Sequence, residues 1–168
     1  SPPDMEFDPT FGWSVSLSGG VAVIGSIWGL ETSAAYLFEK RADGVWMHRQ
    51  ELMPLEGIHG HDYGGAVCAD GDVAMVGASG FDSHKVYVFQ RQSDGVWTEQ
   101  QILTAPGDSD PFGPSVSLSA GVAVIGVNSD DGDAPSSGSA YVFEQQPDGV
   151  WSEKLKLTAA GGSNGDLF

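Results

Sequence analysis

A chain of 168 residues, 40% of them apolar, suffices for one packed domain, and no apolar run approaches the ~18 residues of a membrane-spanning helix. Its 23 acids against 7 bases give a formal net charge of −16, which argues against a nucleic-acid partner and against insertion into anionic membranes. The charge fits a soluble surface, cation binding or a cationic partner, and Cys68, the single cysteine, excludes an internal disulfide.

Residues 1–10 carry Pro2, Pro3 and Pro9 between acids and read as an extended lead-in. From Phe11 the chain alternates: Val15 and Leu17 lie between Ser14, Ser16 and Ser18, the period-two pattern of a strand. Ser18-Gly19-Gly20 turns the chain into Val21-Ala22-Val23-Ile24, a continuous apolar run expected to be buried on both faces. Tyr36 and Phe38 share one face of a third strand, with Leu37 on the other. Asp43-Gly44 makes the next tight turn, because Asp-Gly supplies the positive φ that hairpins need. Trp46 then opens a fourth, more polar strand through Gln50-Glu51-Leu52, suited to an outer edge.

The same order of elements recurs. Phe11 to Gly25 returns as Tyr63 to Gly77 and, most clearly, as Phe112 to Gly126. Ala35-Tyr36-Leu37-Phe38 returns as Val86-Tyr87-Val88-Phe89 and Ala140-Tyr141-Val142-Phe143. Asp43-Gly44-Val45-Trp46 returns as Asp94-Gly95-Val96-Trp97 and Asp148-Gly149-Val150-Trp151. A period near fifty residues marks a repeat architecture, and four short antiparallel strands per repeat make one propeller blade. The fold expected is therefore all-β: a lead-in at 1–10 and blades at 11–62, 63–111 and 112–168.

These motifs resemble FG-GAP repeats, which build the β-propeller of integrin α-subunits. The likeness runs from Phe11 to Phe168 in three copies. It implies an extracellular or secreted protein used in adhesion, carbohydrate contact or scaffolding, with no catalytic role of its own. Two departures stand out. The family's Gly-Ala-Pro is reduced to Gly25-Ser26, Gly77-Ala78-Ser79 and Gly126-Val127, and its Asp-x-Asp-x-Asp-Gly calcium loop survives only as Asp70-Gly71-Asp72.

Propellers close with typically four to eight blades, and a blade needs a neighbour on each side. Three blades therefore imply either a piece of a longer propeller or a homo-oligomer, a dimer giving six blades.

Within each repeat the first and third turns keep their length, while the second connection and the link to the next repeat vary. Variation confined to one end marks a candidate binding face for a protein or glycan ligand. Its candidate ligand-binding residues are Trp13, Trp28, Phe81, His59, His61 and His84. Aromatic rings beside acids suit carbohydrate or peptide, and the imidazoles could hold zinc if a third ligand were near. Asp130, Asp131 and Asp133 form the densest oxygen cluster and are the candidate calcium ligands. The repeated Trp46, Trp97 and Trp151 read instead as packing between blades. Gly-x-Ser-x-Gly is absent, as is a phosphate-cradling glycine loop. A polysaccharide lyase or hydrolase fragment, or a plain structural scaffold, are the alternative readings.

Overall fold

The computed structural model describes residues 10–27, 33–57, 62–80, 84–105, 112–128 and 137–161. Every regular element among them is a β-strand, and no helix there is long and apolar enough to cross a membrane. The first blade comprises β1 (Ser14–Ser18), β2 (Val21–Ser26), β3 (Ala34–Lys40) and β4 (Trp46–Leu52). The second comprises β5 (Tyr63–Asp70), β6 (Val73–Ala78), β7 (Lys85–Arg91) and β8 (Trp97–Leu103). The third comprises β9 (Val116–Ser119), β10 (Val122–Val127), β11 (Ser139–Gln145) and β12 (Trp151–Leu157). Each set forms its own four-stranded antiparallel sheet in sequence order.

Local chemistry repeats with the strands. The Asp of each Asp-Gly turn accepts the N–H two residues on, Val45 to Asp43 Oδ1 at 3.1 Å, Val96 to Asp94 at 2.9 Å and Val150 to Asp148 at 3.1 Å. Such side-chain bonds fix tight turns, and the glycine beside each takes φ of 85°, 82° or 89°. The outer strand of every blade carries one extra residue opposite the third strand, where the register slips at Leu37/Phe38, Val88/Phe89 and Val142/Phe143. A bulge of this kind bends and twists an edge strand.

The second blade lies in the middle. β1 and β2 pack on β5, and β5 packs on β9, so the innermost strands stand side by side while β4 and β8 barely meet. This is the fan of a propeller, and among the described residues the three sheets form an open arc rather than a closed ring.

Two cores fill the gaps between blades, and both follow one rule: the aliphatic face of a blade meets the aromatic face of the next. Val21, Val23, Leu37 and Leu52 pack against Tyr63, Tyr87, Phe89 and Trp97. Met75, Val86, Val88 and Leu103 pack against Phe112, Tyr141, Phe143 and Trp151. Each such side chain, fully buried, stabilises by roughly 1.5–3 kcal/mol.

The rule corrects two expectations. Burial of the second strand on both faces holds only for β6, whose residues are all buried. In β2 the face of Val21 and Val23 is buried and that of Ala22 and Ile24 half-buried; in β10 Ala123 and Ile125 are buried while Val122 and Val124 are exposed. The three Trp likewise diverge: Trp97 and Trp151 are core, each 2% exposed, but Trp46 is 39% exposed. In both cases the cause is position, since among the described residues only the middle blade has neighbours on two sides.

Candidate functional site

Strand polarity sorts the connections. The links at 19–20, 71–72 and 120–121 and at 41–45, 92–96 and 146–150 emerge at one end, which we call the constant end. The ends of β2, β4, β6, β8 and β10 and the starts of β3, β5, β7, β9 and β11 lie at the other, which we call the variable end.

Trp13 stands at this variable end, just before β1. Its backbone is anchored: its N–H donates to Thr10 O at 3.0 Å and to Gly25 O at 3.1 Å. The Thr10 hydroxyl in turn donates to Ile27 O at 2.7 Å and bonds Ser26 Oγ at 3.0 Å. The indole nonetheless remains 62% exposed. Gly65 and Pro114 fill the corresponding places in the other blades, so this ring is not part of the repeated packing. His84 is half-buried immediately before β7 at the same end. Beside it, Glu56 Oε1 accepts from Lys85 Nζ at 2.6 Å and from the Tyr87 hydroxyl at 2.7 Å, tying an inter-blade link to β7. Trp28, Phe81, His59, His61, Asp130, Asp131 and Asp133 lie outside the described residues. Among the described residues no group of three or more His, Cys, Asp or Glu side chains is placed to hold a metal.

The constant end has a different character. The Asp70 carboxylate bridges all three inner strands, accepting from the Ser18 hydroxyl at 3.2 Å and from the Ala120 N–H at 2.7 Å. Asp72 pairs with Arg91 at 3.7 Å, and Arg91 with Glu39 of the first blade at 3.2 Å. Asp70 is thus occupied in holding blades together, while Asp72 pairs within its own blade with the arginine that reaches across to Glu39; exposed pairs of this sort contribute only about 0–1 kcal/mol each.

One set of residues escaped the sequence reading. Gln50 clamps the main chain of Trp97 in the next blade, its Nε2 donating to Trp97 O at 2.7 Å and its Oε1 accepting from Trp97 N at 3.0 Å. Gln101 does the same to Trp151, at 2.9 and 2.8 Å. The signal was present: both Gln stand at the same register after a repeated Trp, and the third copy has Leu155 there.

Cys68 sits inside the core between the second and third blades, where burial pushes its thiol pKa up to about 12 against a hydrogen bond from Met75 backbone that lowers it. Tyr63, buried with its hydroxyl 2.6 Å from Leu52 O, is raised well above 10.0, first by burial and then by Tyr87. Both groups are neutral when folded, and their raised pKa values mean that the stability they contribute is fully present below the unfolded values of 9.0 and 10.0 and is lost as pH rises beyond them. We therefore expect tryptophan fluorescence to report alkaline unfolding setting in above about pH 9. Cys68→Ala should move that onset upward, and the native thiol should resist alkylation at pH 8 until denaturant is added. Rapid labelling of the native chain would contradict the buried placement.

The sheets, their radial order and the repeated inter-blade cores define a β-propeller-type repeat protein. A family model described as FG-GAP repeat matches residues 1–38 and 97–143, just over half of the chain. The chain belongs to the FG-GAP repeat family. No curated protein matches it.

Proposed function

We propose that the chain is a non-catalytic recognition module of adhesion type, extracellular in setting, that binds a protein or glycan ligand through the variable end of its blades. Supporting this is Trp13: a backbone-anchored indole, 62% exposed, at the end where connection lengths differ between repeats. A held, exposed aromatic offers contact area at little cost in conformational entropy, which is why such rings dominate binding energy at interfaces. In the sequence, Trp28, Phe81, His59 and His61 fall within the connections whose lengths vary between repeats. Asp130, Asp131 and Asp133 fall within another such connection of the sequence and would supply a calcium-bridged or direct polar contact. The test is retention of the fluorescently labelled chain on glycan and matrix-protein arrays. A retained ligand should weaken by at least about tenfold on Trp13→Ala, with the fold intact by circular dichroism. Binding indifferent to Trp13→Ala, or turnover of a polysaccharide lost on changing one loop acid, would refute the proposal.

A further inference from the structure

We propose that two copies of this chain join head to tail into a closed six-bladed ring, the aliphatic face of each third blade seated on the aromatic face of the other copy's first blade. The inference rests on what the two outward faces retain. Where the first two blades meet, Ser14, Gly25, Ala34 and Leu52 form a socket. Gly64, at φ 85°, lays its carbonyl against Gly25 and accepts from the Ser14 hydroxyl at 2.7 Å, while Tyr63 donates to Leu52 O at 2.6 Å. At the equivalent positions of the third blade, Ser115, Gly126, Ser139 and Leu157 line an open cavity of about 300 Å³.

The matching plug stands on the first blade. Phe11 packs tilted and edge-on against Tyr36 and Phe38 with centroids 5.6 and 6.2 Å apart, as Phe112 packs edge-on against Tyr141 and Phe143 at 6.0 and 6.1 Å. Tyr63 and Phe112 are 1% and 0% exposed in their sockets, whereas Phe11 is 37% exposed. Gly12 beside it takes φ 94°, the conformation of Gly113, with open space around it.

Away from the socket the faces also correspond. Val122 and Val124, both 38% exposed, repeat the buried Val21 and Val23. The exposed Trp46 repeats the buried Trp97. A second, polar correspondence points the same way. Glu99 Oε2 accepts the N–H of Leu55 from the preceding blade at 2.8 Å. His48 stands in the place of Glu99, and its Nε2 is buried with no hydrogen-bond partner among the described residues. Ala160, exposed after β12, stands in the place of Leu55 and brings an N–H to that nitrogen in the ring.

Among the described residues a single chain thus carries both halves of one inter-blade contact, unmet, on opposite flanks. A second copy satisfies both at once, and six blades fall within the range in which propellers close. Each contact is heterologous, and two of them related by a two-fold axis close without further copies. At the new contact Leu155, 53% exposed, takes the place of the Gln clamp, so it is held by apolar packing and the socket alone.

Light scattering on the 168-residue chain should give twice 17.6 kDa. Val124→Asp and Trp46→Asp, each made alone, should give folded monomers, because either change spoils both contacts of the ring. Val122→Asp serves where Val124→Asp fails to fold, near-UV circular dichroism being the check. Mixing the blade-three and blade-one variants should restore a species of doubled mass, held by the one contact in which both faces are native. A monomer or trimer for the parent chain overturns the proposal. So does a variant that keeps the dimer mass, the sign of a face-to-face pairing, or a mixture that stays monomeric, the sign of another occupant.

Discussion

Gly25→Ala is expected to lower stability by about 3–4 kcal/mol, a fall of roughly 10 °C in Tm, while Gly126→Ala should cost less than about 1 kcal/mol. The two glycines are equivalent in the repeat, and their difference is what lies over them. A methyl on Gly25 would overlap the carbonyl oxygen of Gly64 and the hydroxyl of Ser14. The carbonyl is main chain, fixed by the hydrogen bond it accepts from Ser14 and by the buried Tyr63 next to it. It cannot yield without lifting β5 from β2. A methyl on Gly126 meets chiefly its own blade's Ser115 hydroxyl, which can rotate away. Urea unfolding of both variants at low concentration makes the comparison. Equal costs would mean that the glycine-to-carbonyl approach does not seat one blade on the next. If the proposed ring forms, Gly126→Ala should become costlier at high concentration, because the carbonyl of Gly12 from the second copy would then occupy the same place.

Shape was readable from the sequence because the repeat is written in side chains whose roles are local. Alternating Val and Ser, Asp-Gly turns and the Tyr-x-Phe strands each specify a backbone without reference to anything distant. Burial was only partly readable. Val21-Ala22-Val23-Ile24 and Val122-Ala123-Val124-Ile125 are the same four residues, yet one buries Val21 and Val23 and the other buries Ala123 and Ile125. Nothing within either run encodes this. The outcome is set by which flank the neighbouring blade occupies, a property of order along the chain.

The candidate site was legible in its position more than in its contacts. Equal and unequal connection lengths assign the two ends, because antiparallel strands force alternate links to opposite sides. Trp13 could be found as the residue that breaks the repeat at a place where its counterparts are Gly65 and Pro114. The Gln50 and Gln101 clamps were harder. Polar side chains on an outer strand read as solvent-facing, and only pairing across blades reveals that each holds a main-chain N–H and C=O. The middle repeat also departs most from the pattern, with Tyr63-Gly64-Gly65-Ala66 where its neighbours have Phe11-Gly12-Trp13-Ser14 and Phe112-Gly113-Pro114-Ser115. Of those changes, Tyr63 adds a hydroxyl that reaches Leu52 O in the preceding blade.

Trp97→Ala is expected to cost about 3–5 kcal/mol, the range for deleting a large buried aromatic. Its indole lies in the core between the first two blades at 2% exposure, and its Nε1–H points to Glu39 Oε1 at 3.5 Å. Truncation would leave a void bounded by strands that cannot collapse, since Gln50 holds the main chain of residue 97 at both its N–H and its C=O. Restricted collapse places the cost toward the upper part of that range. Trp46, the same residue one blade earlier, gives the contrast. In dilute protein, where blades are tested singly, Trp46→Ala should cost below about 1 kcal/mol because the ring is already half in water. If the proposed six-bladed ring forms, Trp46 would acquire the surroundings of Trp97, so its penalty should grow with protein concentration while that of Trp97→Ala stays level. Chemical unfolding of both variants across a hundredfold range of concentration distinguishes the two behaviours. A flat, small penalty for Trp46→Ala throughout would show that the aromatic flank of the first blade stays in solvent.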